Sequence, residues 1–192
     1  MPAPGPSESS GSGDLVVTGV SIPVPAPYGD DLQRRRRSYG DPLADVTPAH
    51  VTLLGPTEIR RDELPAFRQH LAATAAAVQP FTMVLRGTGT FRPVSDVVFV
   101  QVAHGISRCE QLERAIRSGP WRQKLTFPYH PHVTVAHKVP GPALDRAFED
   151  LAHFSATFEV EAFWLYHQGG SGAWVPQQAF ALGAPTTDAE EH

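Results

Sequence analysis

Residues 127–137 read FPYHPHVTVAH, and residues 48–55 read PAHVTLLG. The string His-Val-Thr thus occurs twice, each time followed by an aliphatic residue, and packing alone has no use for such a repeat. On a strand, side chains alternate faces with a period of two. His50 and Thr52 then share one side, with Val51 and Leu53 opposite; His132 and Thr134 share one side, with Val133 and Val135 opposite. Each strand commits an aliphatic pair to a core and presents an imidazole beside a hydroxyl. A single His-x-Thr on a strand is more often a packed or surface histidine than a catalytic one. From the chain's own His, Val and Thr frequencies, a chance second HVT is on the order of one in a thousand. The repeat, not either copy, carries the functional reading.

Outward from the two strings, the chain alternates between strand and helix patterns. DLVVTGVSIPVP (14–25) is rich in β-branched residues and stopped by prolines, which predicts a strand. DDLQRRRRSYG (30–40) opens acidic and closes on Gly, which predicts a short helix. HVTLLG (50–55) reads as a strand. Across 62–78, Leu64, Phe67, Leu71, Ala75 and Val78 recur at helical spacing. FTMVLRGTGTF (81–91) and DVVFVQVA (96–103) read as strands, and 107–119 as a helix with Ser107 and Glu110 as a capping box and Gly119 as its stop. The second HVT strand (132–136) precedes a helix over 142–154 and two final strands, 156–167 and 173–182. The QGGSGA between those strands has hairpin chemistry.

Each half therefore offers an HVT strand, then a helix, then two strands. This predicts an α+β fold of two pseudo-symmetric lobes with a central cleft, one bilobal domain over 14–184; a single open α+β sandwich is the alternative. Residues 1–13, dominated by Pro, Gly and Ser, read as a disordered tail. Residues 185–192 read as a short acidic tail.

The bulk composition narrows the function classes. A chain of 192 residues with 41% hydrophobic content can build one generous core. A net charge of −4 argues against a protein that coats nucleic acid non-specifically, and leaves room for a local electropositive cleft. No stretch approaches the roughly 20 apolar residues of a membrane helix. The N-terminus lacks the basic start and apolar run of a signal peptide. The single cysteine, Cys109, cannot form an internal disulfide and reads as a small buried hydrophobe. The expectation is a soluble, cytoplasmic monomer.

Two imidazoles and two hydroxyls converging on a cleft suit acid–base attack at phosphorus or at an acyl centre. An imidazole titrates near pH ~6.5, so one neutral and one protonated ring can coexist near neutrality. Each positioned acid or base is worth about 10²–10⁴-fold in rate. The hydroxyls would donate to non-bridging phosphate oxygens and hold the charge that builds there. No metal and no cofactor is required.

HVTL at 50–53 and HVTV at 132–135 resemble the paired His-x-Thr/Ser-x motifs of the 2H phosphoesterase superfamily, and the chain looks most like its bacterial 2′-5′ RNA ligase branch. The likeness runs from about residue 15 to 182 and includes the Gly-rich strand exit LRGTGTFRP (85–93). It implies a bilobal α+β fold. It also implies metal-independent hydrolysis of 2′,3′-cyclic phosphates, or cleavage and joining of 2′-5′ linkages, in RNA ends or small cyclic nucleotides. By that likeness His50 and His132 are the acid–base pair and Thr52 and Thr134 hold the phosphate, with His50 as proton donor to the leaving ribose oxygen and His132 as base for water. Relatives of this branch often carry Arg where this chain has His137, so a fixed positive charge is missing or comes from elsewhere.

Further residues compete for a role. Tyr129 and Phe127 are candidates for stacking on a base, and His130 and His137 for the rim of the cleft. Arg34 to Arg37 form the one basic run, of which at most two can face one ligand; Arg36 is taken as a phosphate contact. His130, His132 and His137 could instead be read as a metal site, but no Asp, Glu or Cys stands close by. A catalytically weak nucleotide-binding module is the remaining alternative.

Overall fold

The aliphatic partners of both histidines go where the alternation sends them: Val51, Leu53, Val133 and Val135 are all at most 2% exposed. The computed structural model describes residues 14–183, so the readings of 1–13 and 185–192 as tails lie outside the described residues. In chain order the elements are β1 (Leu15–Pro23), α1 (Tyr28–Ser38), β2 (His50–Arg60), α2 (Leu64–Ala76), β3 (Phe81–Thr90), β4 (Val97–His104), α3 (Ile106–Ile116), β5 (His132–His137), α4 (Gly141–Asp150), β6 (Ser155–Val160), β7 (Ala162–Gln168) and β8 (Trp174–Ala181). Two short 3₁₀ turns, Arg61–Glu63 and Gly119–Trp121, follow β2 and α3.

The strands form two four-stranded antiparallel sheets, ordered β2-β1-β7-β8 and β5-β4-β3-β6. Each HVT strand is therefore the edge of its sheet, and the two edges meet where β2 packs near β5. The helices support the opposite lobe as well as their own, with α1 against β5 and α3 against β2. The apolar stripe of α2 is fully used: Leu64, Phe67, Leu71 and Ala75, with Val78 just beyond the helix, are all buried in one continuous core. The fold is the bilobal α+β arrangement expected.

Beyond shifted ends, such as β2 running on to Arg60 and α4 stopping at Asp150, three details differ from the sequence reading. The segment 156–167 is not one strand. It breaks at Glu161, with β6 pairing with β3 in one sheet and β7 with β1 and β8 in the other. The burial phase explains the break: Ala156 and Val160 are buried, then Phe163 and Leu165, and a strand of period two cannot turn both sets to one face. Helix α3 starts at Ile106, after Gly105 in the left-handed region at φ 97°, so Ser107 lies inside the helix and no side chain caps it. The helix ends at Ile116, and Gly119 belongs to the following turn. Finally, the repeated unit begins one strand earlier than the HVT string. It is β1-α1-β2-α2 in one copy and β4-α3-β5-α4 in the other, so the middle of the chain builds one sheet and its two ends build the other.

Candidate active site

The two motif histidines make the same hydrogen bond. His50 Nδ1 lies 2.6 Å from the carbonyl oxygen of Pro48, and His132 Nδ1 lies 2.7 Å from that of His130. A carbonyl only accepts, so Nδ1 carries the proton in each ring and Nε2 is left as the acceptor of the neutral form. Each ring is thereby fixed by the backbone two residues upstream, at PAH in one copy and HPH in the other.

Burial drives both histidines toward the neutral state. Partial burial lowers the pKa of each below its ordinary value of 6.5, more than the backbone hydrogen bond raises it. The Arg36 guanidinium further disfavours protonation of His50. At His132 the neighbouring imidazoles of His130 and His50 have the same effect.

The surroundings of the two rings are unequal. His132 sits between two phenylalanines, Phe91 at 5.0 Å and 87° and Phe99 at 5.0 Å and 55° between ring planes. Phe99 reaches it because Gly89 lies opposite in the sheet register; a Cβ there would come within 2.5 Å of the Phe99 ring. This gives GTG at 87–89 its purpose, as a flat bed for an aromatic ring. Thr134 pairs with Phe99 across β5 and β4, and Thr52 with Ser21 across β2 and β1.

Two sets of hydrogen bonds tie the motif strands together. The Tyr129 hydroxyl donates to the carbonyl of Thr52 at 2.9 Å, joining the chain before β5 to the middle of β2. Asp41 Oδ2 accepts both from the His137 amide at 3.1 Å and from Arg36 Nε at 2.8 Å, and Arg36 Nη1 donates to the Thr47 carbonyl at 3.2 Å. The pair binds the approach to His50 to the end of the strand that carries His132.

Arg36 is consequently corrected as a phosphate contact. Its side chain is 5% exposed, does not line the cleft and is held by Asp41 and Thr47. The rest of the basic run also pairs with the chain's own carboxylates, Arg34 and Arg35 with Asp31 and Arg37 with Asp45.

A cleft of about 870 Å³ opens beside His132 and is lined by Thr52, Thr134, Tyr129, His130 and His137, among others. Thr52 also lines a smaller recess of about 130 Å³ that holds His50. The structure thus places Thr52, His132 and Thr134 on the cleft and His50 in the adjoining recess, with Thr52 shared between the two. Tyr129 is on the cleft as well, though its hydroxyl is occupied as a strut. His130 precedes β5 rather than lying on it and is exposed, and its ring stacks on His132 at 6.0 Å. His130, His132 and His137 do not form a metal cage: among the described residues no three His, Cys, Asp or Glu side chains converge to hold an ion. Cys109 is buried, and burial pushes its thiol up to about 12, in keeping with a packing role. Phe91, Phe99 and Asp41 were not singled out by the sequence. The glycine spacing of LRGTGTFRP was the signal for the two phenylalanines, and nothing in the sequence pointed to Asp41.

The fold and the motif-bearing edge strands place the chain among the 2H phosphoesterases. The sequence profile of the 2′-5′ RNA ligase superfamily matches residues 23–172, and the chain belongs to that superfamily. A candidate phosphoesterase of Bacillus licheniformis is 29% identical over 156 residues, covering 80% of this chain and 92% of that protein. One from Geobacillus kaustophilus is 26% identical over 173 residues, covering 88% of this chain and 98% of that protein. Among solved structures, E. coli LigT complexed with 3′-AMP superposes with a TM-score of 0.67 at 21% identity, over 88% of this chain and 99% of LigT. Among the described residues no helix is long and apolar enough to cross a membrane.

Proposed function

We propose that this protein is a metal-independent phosphoesterase that hydrolyses 2′,3′-cyclic phosphates, or cleaves and joins 2′-5′ linkages, in RNA ends or small nucleotides. The observation that carries the reading is the matched pair of Nδ1 hydrogen bonds, which leaves an Nε2 acceptor on each of two rings in adjoining cavities that share Thr52. In hydrolysis of a cyclic phosphate, His132 Nε2 takes a proton from water as the water oxygen bonds to phosphorus. The bond from phosphorus to one ribose oxygen breaks, and His50 Nε2 delivers a proton to that oxygen; in ligation the two roles exchange. Both rings are biased toward neutrality in the free protein. The anionic phosphate therefore supplies the charge that keeps the acid partner protonated. Thr52 and Thr134 donate to its non-bridging oxygens, where charge develops. The complexes of LigT with 3′-AMP and with ATP favour a nucleotide substrate for this cleft too.

The test is turnover of a 2′,3′-cyclic mononucleotide by the purified protein in EDTA. The expected result is steady release of a nucleoside monophosphate at a rate the chelator does not change. Binding without product would overturn the hydrolytic reading and favour a cleft that only binds.

A further inference from the structure

The open face of the first sheet carries more than its motif. Strand alternation and register set His50 and Thr52 on the same face as Gly19 and Ser21 of β1 and Tyr166 of β7, and the recess beside His50 is closed by Tyr166 and Trp174. The Trp174 indole lies across Gly19. A Cβ at that glycine would stand 3.1 Å from its Cζ3 and 3.4 Å from its Cη2, so a side chain there would crowd the ring and the glycine lets it settle close to the strand. Both aromatics are half-buried, which leaves part of each exposed to the opening.

The charge pattern shows what this wall is suited to hold. Among the described residues no Lys or Arg lines the recess beside His50. In the larger cleft Arg117 is the one such residue, and its guanidinium is taken up by Glu113 and by the Gln123 carbonyl. A ligand with one phosphate at the His-Thr pairs finds no further cation for a second, but does find an uncharged aromatic surface beside it. Flat, uncharged, sequence-tolerant surfaces of this kind hold nucleobases by stacking.

We infer that Trp174, seated on Gly19 and flanked by Tyr166, is the base-stacking residue of a nucleoside subsite continuous with His50 and Thr52. This rests on the phosphoesterase reading above and narrows it: the substrate is a nucleoside phosphodiester, recognised by its base and by a single phosphate, rather than a long RNA held along its backbone.

The test compares wild type, Trp174→Ala and Trp174→Phe on adenosine 2′,3′-cyclic phosphate and on the methyl riboside 2′,3′-cyclic phosphate, which has no base. Calorimetric binding of adenosine 2′-monophosphate is measured alongside. Trp174→Ala is expected to raise KM and Kd for the adenosine compounds about tenfold, with kcat within about twofold, and to leave the base-free ester unaffected. Trp174→Phe is expected to keep most of the affinity. Unchanged affinity for the adenosine compounds would overturn the subsite, as would an equal loss on the base-free ester, which would mark Trp174 as a support for β2 only. If wild type turned over neither ester yet lost adenosine 2′-monophosphate affinity on Trp174→Ala, the subsite would stand and the phosphoesterase reading would fall.

Discussion

At the scale of the residue, a carbonyl two positions upstream decides which nitrogen of each motif histidine can do chemistry. Pro48 and His130 supply it. The consequence can be read in a pH profile. Both rings are held below their ordinary pKa of 6.5, chiefly by burial. As pH falls, the base becomes protonated and kcat/KM drops; as pH rises, the acid loses its proton and kcat/KM drops again. Because both free-protein pKa values lie on the acid side of 6.5, the kcat/KM bell is expected to peak below about pH 6.5. The kcat bell should lie to its alkaline side, since bound phosphate favours the charged ring. A kcat/KM that rises steadily to pH 9 would contradict this pairing. The four motif residues were legible in the sequence because the string repeats and strand alternation fixes its faces. Arg36 was misread because a run of arginines on a helix says nothing about which of them meets a buried carboxylate. Asp41, five residues on, is that partner.

At the scale of the element, glycine and aromatic residues set the shape around His132. Gly89 leaves room for Phe99, which packs against the imidazole. Gly89→Ala forces the Phe99 ring to move within a buried site, an overpacking that costs about 1–3 kcal/mol. It should also lower kcat by disturbing His132, with KM changing less. Chemical denaturation and steady-state kinetics check the two parts, and a variant with wild-type kcat would detach Phe99 from the chemistry. Most elements were legible: the four apolar positions of α2, Val78 just beyond it, and both HVT strands fall as their spacing requires. The division of 156–167 was legible too, in the change of alternation between Val160 and Phe163, but a β-rich run without Gly or Pro hides it. The start of α3 was not legible, because Gly105 at positive φ competes with the Ser107 cap that the pattern favours.

At the scale of the whole molecule, the site exists only because two sheets built from interleaved stretches of chain are held edge to edge. Asp41, whose side chain is fully buried, joins them through Arg36 and the His137 amide. Asp41→Ala leaves a buried guanidinium unpaired and an amide without its acceptor, so it should destabilise the protein by about 3–5 kcal/mol. Replacing both partners, as Arg36→Met with Asp41→Leu, should recover much of that loss, because no uncompensated charge then remains. Urea denaturation of the single and double variants tests this, and equal losses in both would contradict it. The lobed architecture was legible from the repeat, but its composition was not. Local patterns report which segments are strands, and only long-range pairing reports that β7 and β8 return to the sheet of β1.

The central claim is that His50 and His132 act together on one phosphate. The most direct measurement is hydrolysis of a 2′,3′-cyclic mononucleotide by His50→Ala and by His132→Ala, each checked for native folding by circular dichroism. The account predicts that each variant stays folded and loses about 10²–10⁴-fold in kcat, with the double variant little worse than either single. Near-wild-type turnover in either folded variant would contradict it.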